Sequence, residues 1–349
     1  MLPEVLQLIE TLPAGLTFVI GVVLLLLGGT WLVDGAVGIA RRLRLSPLLI
    51  GLTIVAFGTS APELFFNIAA ALSGHPELSF GNVVGSNIAN IALVLGLAAL
   101  ARPLLVSSRV VRKDLPMLII VSAGMLLLAW LGPAITDDGI IEDGWTRTDG
   151  LIMLAVFMLA TWVWYRMGRR DRADPLTAEA EAEARSEKRL APAAAVSLFI
   201  LGLVALVAGG KLAELGAVGV ARWLGLSQTL IGLTVVAVAT SLPEVVTSLI
   251  ACRRGHTDLA VGNVVGSNLF NILLVLGLTA TVASVPVPAE PTLLGIERGW
   301  GDLFVMLALA LLLLPIAATS QRRIRRWEGA LLLIVYATYI AFSVVRELR

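Results

Sequence analysis

The chain has 349 residues, 58% of them hydrophobic and 15% charged, with a formal net charge of +1 and a mean hydropathy of +0.91. That much apolar surface excludes a soluble globular domain and makes this an integral membrane protein. The near-zero net charge carries no signal for nucleic acid, and the single cysteine, Cys252, excludes an intrachain disulfide.

The first residues, MLPEVLQLIE, lack a basic n-region, so no cleaved signal peptide is expected. Stretches such as 16–33 and 303–318 carry almost no charge and approach or reach the ~20 helical residues that cross a hydrocarbon core. The ten-residue alternating segments of a barrel are absent. Helices are therefore expected at 14–40, 46–72, 79–101, 115–132, 149–166, 193–222, 227–252, 260–284, 301–318 and 327–345. Between the fifth and the sixth lies YRMGRRDRADPLTAEAEAEARSEKR, a polar linker too short for a folded domain. With the N-terminus outside, 20 of the 26 Lys and Arg fall in inner loops, and the longer outer loops, TDDGIIEDGW and the stretch around Glu290, are acidic. Ten spans with both termini outside follow.

Shifting the chain by 181 residues overlays 50–99 on 231–280 with 29 identities in 50 positions and no gap. The same shift pairs Gly28 and Gly29 with Gly209 and Gly210. Five helices per half is an odd number, so the second half enters the membrane from the opposite face. The expected fold is an all-α membrane protein of ten transmembrane helices, built as two inverted-topology five-helix repeats. Residues 1–165 form the first repeat, 166–192 a cytoplasmic linker and 193–349 the second repeat.

Each half carries two dense motifs. The first is Thr59-Ser60-Ala61-Pro62-Glu63, repeated as Thr240-Ser241-Leu242-Pro243-Glu244. The second runs from Gly81 to Asn90 as GNVVGSNIAN and from Gly262 to Asn271 as GNVVGSNLFN. A proline within a helix removes one amide donor and displaces the carbonyl four residues back, so Pro62 and Pro243 should free the carbonyls of Gly58 and Ala239, with those of Ala56 and Ala237 tilting into the same gap. Backbone oxygens freed at membrane depth require protein, water or an ion. Hydroxyls and a carboxylate stand beside them, all hard donors that suit Ca2+ and Na+ and not copper or zinc. Ser86 and Asn90, like Ser267 and Asn271, share a helix face, and each Asn lies about 15 Å along its helix, near the midplane. Two facing carboxylates cannot both stay ionised without a counter-charge. One Ca2+ balances both; Na+ or protons do so at other stoichiometry, which is the competition an antiporter needs.

Blander roles suit other polar residues. Asn82 and Asn263 can cap or bridge helices, and Asn87 and Asn268 brace the site. His75 and His256 read as solvated turn residues, Asp34 as a partner of interfacial water, Arg41 or Arg42, and Lys211 with Glu214 as a snorkelling pair. Trp145, Trp223, Trp300 and Trp327 read as interface anchors, and Cys252 as a space-filler.

On these motifs the chain resembles the calcium/cation antiporter superfamily, in particular compact prokaryotic sodium/calcium exchangers, over nearly its whole length. The resemblance implies that Glu63 and Glu244 ligate Ca2+. It implies that Thr59, Ser60, Ser86, Asn90, Thr240, Ser241, Ser267 and Asn271, with the carbonyls of Ala56 and Ala237, line ion sites. It also implies that the helices at 14–40 and 193–222 slide against a rigid core. Asn at both 90 and 271 departs from members with Asp there and weakens the case for K+ co-transport. Val84 and Val265 stand where proton/calcium exchangers often place an acid, which favours Na+ over H+.

The leading expectation is a secondary antiporter exchanging Ca2+ for Na+ by alternating access, multi-pass in the cell (inner) membrane; a H+/Ca2+ antiporter is the alternative and a cation channel the next. No Walker A loop, HExxH or TVGYG filter is visible, so an enzyme is not expected. No cofactor is expected; the ligands are the transported ions Ca2+ and Na+, and the environment is the lipid bilayer. A monomer is expected, with a homo-oligomer the alternative.

Overall fold

The computed structural model describes residues 13–43, 45–135, 141–168, 190–225, 237–289, 298–319 and 321–347. The expected linker therefore lies mostly outside the described residues, as do the start of the expected helix at 227–252, the middle of the acidic loop at 136–140 and the stretch around Glu290.

The described residues are overwhelmingly helical. In chain order the helices are α1 (Ala14–Leu43), α2 (Pro47–Thr59), α3 (Ala61–Leu72), α4 (Glu77–Ala101), α5 (Val110–Leu131), α6 (Arg147–Gly168), α7 (Pro192–Trp223), α8 (Ala237–Thr240), α9 (Leu242–Arg253), α10 (Thr257–Val282), α11 (Arg298–Ala318) and α12 (Arg326–Glu347). Eight of these are long and apolar enough to cross a membrane, and α2 with α3, bent by 43°, makes a ninth if the pair is one span. The protein is a multi-pass helical membrane protein. The fourth expected helix starts five residues early, at Val110, because its first turn is π-wound and carries Arg112 and Lys113. Hydropathy places charged residues outside a span; the backbone does not.

The core is centred on α10, which is buried along almost its whole length, and on its sequence counterpart α4. The long helices α1 and α7 pack together antiparallel along the side: Gly21 meets Ala213, while Gly35 meets Phe199. Glycines recur every seven residues on both, at 21, 28 and 35 and at 202, 209 and 216. A Cβ on Gly28 would fall 2.7 Å from the Leu206 nitrogen and one on Gly209 2.7 Å from the Leu25 nitrogen, so the two backbones are in contact there.

Short strands add to the expected all-helical picture. β1 (Leu104–Leu105) pairs antiparallel with β5 (Arg323–Ile324), tying two loops together. β2 (Pro133–Ile135), β3 (Ile141–Trp145) and β4 (Val285–Pro286) form a second small sheet. Trp145 is fully buried rather than interfacial: its indole Nε1 donates to the Met125 carbonyl at 2.9 Å and its ring stacks on Phe80. Trp223 and Trp327 are exposed, as anchors would be. Asp34 pairs with Arg254 rather than with Arg41 or Arg42, which joins α1 to the turn between α9 and α10. His75 is exposed beside Glu77, but His256 is buried, contrary to the solvated turn expected of both. Lys211 and Glu214 pair at 3.0 Å as expected.

Candidate cation site

The Thr-Ser-x-Pro-Glu motif breaks its helix at the serine. Ser60 has φ −85°, ψ 2° and Ser241 φ −88°, ψ 2°, which ends α2 and α8 and starts α3 and α9. Contrary to the expectation above, Pro62 and Pro243 therefore do not interrupt a continuous helix. They sit in the first turn of a new one, where a missing N–H costs nothing. Glu63 and Glu244 fall in the same first turns, at the positive ends of their helix dipoles. The Ala56 carbonyl is not freed as expected: it accepts from the Ser60 N–H at 3.0 Å, the regular helical bond, and from the Thr59 hydroxyl at 3.4 Å. The second motif has its own distortion: π-wound stretches begin at Asn90 and again at Asn271. Such turns interrupt the regular α ladder and are frequent at functional sites.

The halves interlock at these points. α2 ends against α10, and α8 packs against α4. α3 packs against the π-turn of Asn271, and α9 against that of Asn90. Glu244 lies within electrostatic reach of Glu63 and of the Thr59 hydroxyl. Thr59 Oγ1 also lies 3.2 Å from Asn263 Oδ1 and 3.4 Å from Ser267 Oγ. Thr59, Ala56, Ser267, Glu63 and Glu244 thus come together around one oxygen-rich centre.

The remaining expected residues are placed less tightly. Ser60, Ser241, Ser86, Asn90 and Asn271 are buried. Thr240 is half-buried on α8, and Ala237 opens that segment. Asn87 braces its own helix, its Nδ2 donating to the Val83 carbonyl at 2.7 Å.

A second polar layer was not legible as part of the site. Asn67 Nδ2 donates to the Glu63 carbonyl at 2.6 Å and to Asn82 Oδ1 at 2.7 Å, and Asn263 Nδ2 donates to Ser248 Oγ at 3.1 Å. Asn67 and Ser248 are 181 residues apart, like the motifs, and each follows its glutamate by one helical turn. Those two regularities were the available signal.

Among the described residues several buried polar atoms here have no hydrogen-bond partner: Glu63 Oε2, both oxygens of Glu244, the hydroxyls of Ser60 and Ser241, and both amide ends of Asn90 and Asn271. A buried carboxylate without a partner costs several kcal/mol. Among the described residues no group of three or more His, Cys, Asp or Glu side chains occurs. The donor set is two carboxylates with neutral hydroxyl, amide and backbone oxygens, which suits hard cations.

A family model for the sodium/calcium exchanger protein matches residues 14–166 and 194–345. CaxA of Alkalimonas amylolytica, an antiporter by name, is 39% identical over 336 residues, 94% of this chain and 98% of CaxA. The sodium/calcium exchanger MaX1 of Methanosarcina acetivorans is 32% identical over 348 residues, 93% of this chain and 97% of that one. A solved structure of the sodium-calcium exchanger NCX_Mj, soaked with 10 mM Na+ and zero Ca2+, superposes with a TM-score of 0.77 at 29% identity, covering 94% of this chain and 98% of the other.

Proposed function

The chain belongs to the sodium/calcium exchanger family, and we propose that it is a secondary antiporter that exchanges Ca2+ for Na+ at a site between Glu63 and Glu244. The observation that carries this reading is the pair of buried carboxylates, one from each motif copy, with unpartnered oxygens. Desolvated carboxylates this close need a positive partner. The surrounding hydroxyls and carbonyls supply further ligands of the kind Ca2+ and Na+ share, so the two ions compete for one set of oxygens.

The proposed architecture is ten spans in two inverted repeats, 1–165 and 193–349, with a cytoplasmic linker at 166–192, both termini outside and a location in the inner membrane. The 181-residue overlay and the separate family match to each half support it. The exchange is proposed to proceed by alternating access, with one half rocking against the other around the shared site. The protein is proposed to act as a monomer.

A proton-coupled Ca2+ antiporter is the alternative, since protons also neutralise carboxylates. Val84 and Val265, which stand where proton/calcium exchangers of the superfamily often place an acid, favour sodium. Reconstituted liposomes separate the two readings. An outward Na+ gradient should drive Ca2+ uptake with the pH gradient collapsed by ionophore. Uptake that follows only the pH gradient would overturn the sodium reading.

A further inference from the structure

Asn263 stands four residues before Ser267 on α10 and shares its helix face, yet only the serine was expected to line the ion site. We propose that Asn263 is a positioning residue of the cation site: it takes up the proton of the Thr59 hydroxyl, so that the Thr59 oxygen is free to ligate the transported ion. The inference rests on the exchange reading above, with Thr59 among the ligands.

Asn263 joins helices of both halves. Its Oδ1 accepts from Thr59 Oγ1 of α2 at 3.2 Å, and its Nδ2 donates to Ser248 Oγ of α9 at 3.1 Å. All three side chains are buried. Ser248 lies one turn beyond Glu244 on α9. One amide therefore runs from the helix that bears the second carboxylate to a hydroxyl contributed by the first half.

A threonine hydroxyl has one proton and two lone pairs. Three oxygens stand around Thr59 Oγ1: Asn263 Oδ1 at 3.2 Å, Ala56 O at 3.4 Å and Ser267 Oγ at 3.4 Å, with Glu244 also in reach. Asn263 is the nearest of the three, and the Ala56 carbonyl already accepts the Ser60 N–H at 3.0 Å. A proton given to Glu244 would occupy a carboxylate lone pair that a cation needs. A proton given to Asn263 leaves both the carboxylate and the Thr59 lone pairs available. The orientation of the amide decides this. Turned over, its NH2 group would donate to Thr59 and use up a lone pair. Ser248 Oγ, accepting from Nδ2, fits the useful orientation. A neutral amide also serves without adding a third buried charge beside the two glutamates.

The test measures equilibrium binding of radioactive Ca2+ to purified full-length protein in Na+-free buffer, for variants that keep wild-type melting. Thr59→Val should weaken Ca2+ binding by about tenfold and Asn263→Leu by about three- to tenfold, the size of one hydrogen bond. In the Thr59→Val background, Asn263→Leu should add less than about twofold, because the hydroxyl it acts through is gone. Ser248→Ala releases only the far end of the amide. It should weaken binding by about two- to fivefold in the wild-type background and not in the Thr59→Val background, which keeps the inference testable if Asn263→Leu does not fold. An asparagine that merely bridges helices would cost the same factor in both backgrounds. Such additivity would overturn the inference, as would wild-type Ca2+ affinity in Asn263→Leu or in Thr59→Val. None of these results touches the exchange reading, which falls, and this inference with it, if Na+ does not displace Ca2+ from the wild type.

Discussion

Two carboxylates buried within electrostatic reach of each other set the residue-scale chemistry. Protons and metal ions compete for the same oxygens, so Ca2+ uptake should fall as the pH drops from 8 to 5. Uptake that rises steadily over that range would contradict the competition. His256 makes a separate, structural prediction. Burial, followed by the cationic Arg41 and Arg254, pushes its imidazole from the usual 6.5 down to about 4. The unfolded chain takes up this proton below pH 6.5 and the folded chain only below about 4. The fold therefore loses stability through this residue as pH falls across that window, by about 3 kcal/mol in total. Thermal denaturation of His256→Asn should show a flatter acid slope than wild type, and an equal slope would contradict the assignment. The glutamates were legible because a carboxylate in an apolar run is conspicuous by its cost. The burial of His256 was not, since its neighbours RRGHTD read as solvated and the pairing of Asp34 on α1 with Arg254 in that turn leaves no mark in the sequence.

Among the elements, the contact between α1 and α7 depends on the absence of side chains. Gly28→Ala places a methyl group 2.7 Å from the backbone nitrogen of Leu206, which cannot yield as a side-chain tip can. The helices must separate, at a cost of about 1–3 kcal/mol. Gly28→Ala should therefore lower the melting temperature in detergent, whereas Gly124→Ala, whose added Cβ would meet no neighbouring element among the described residues within 4 Å, should leave it within error. Equal behaviour of the two would contradict the close approach. Hydrophobic runs located most helix boundaries, but the stretch expected as one helix at 46–72 is a pair broken at Ser60, with Pro62 in the first turn of the second helix. The π-turns at Asn90 and Asn271 left no mark in the sequence, because a single widened turn changes no periodicity long enough to detect. The two-residue strands β1, β4 and β5 escaped for the same reason.

For the whole molecule, the 181-residue overlay was the most informative feature, since duplication with an odd helix count predicts a site where the copies meet, and the interlocking of α2 with α10 and of α8 with α4 is the packing such a site requires. If three Na+ exchange for one Ca2+, as the family resemblance implies, one net positive charge crosses in each cycle, worth about 2.3 kcal/mol per 100 mV. A liposome potential made positive inside should then accelerate Na+-driven Ca2+ uptake, and a voltage-insensitive rate would indicate electroneutral exchange instead. All of this depends on the glutamates holding the metal. Equilibrium Ca2+ binding to purified wild type, Glu63→Gln and Glu244→Gln in Na+-free buffer, each variant checked for wild-type melting, tests that most directly. Saturable binding to wild type should weaken by about a hundredfold or more in each variant, and a folded variant that keeps wild-type affinity would contradict the account.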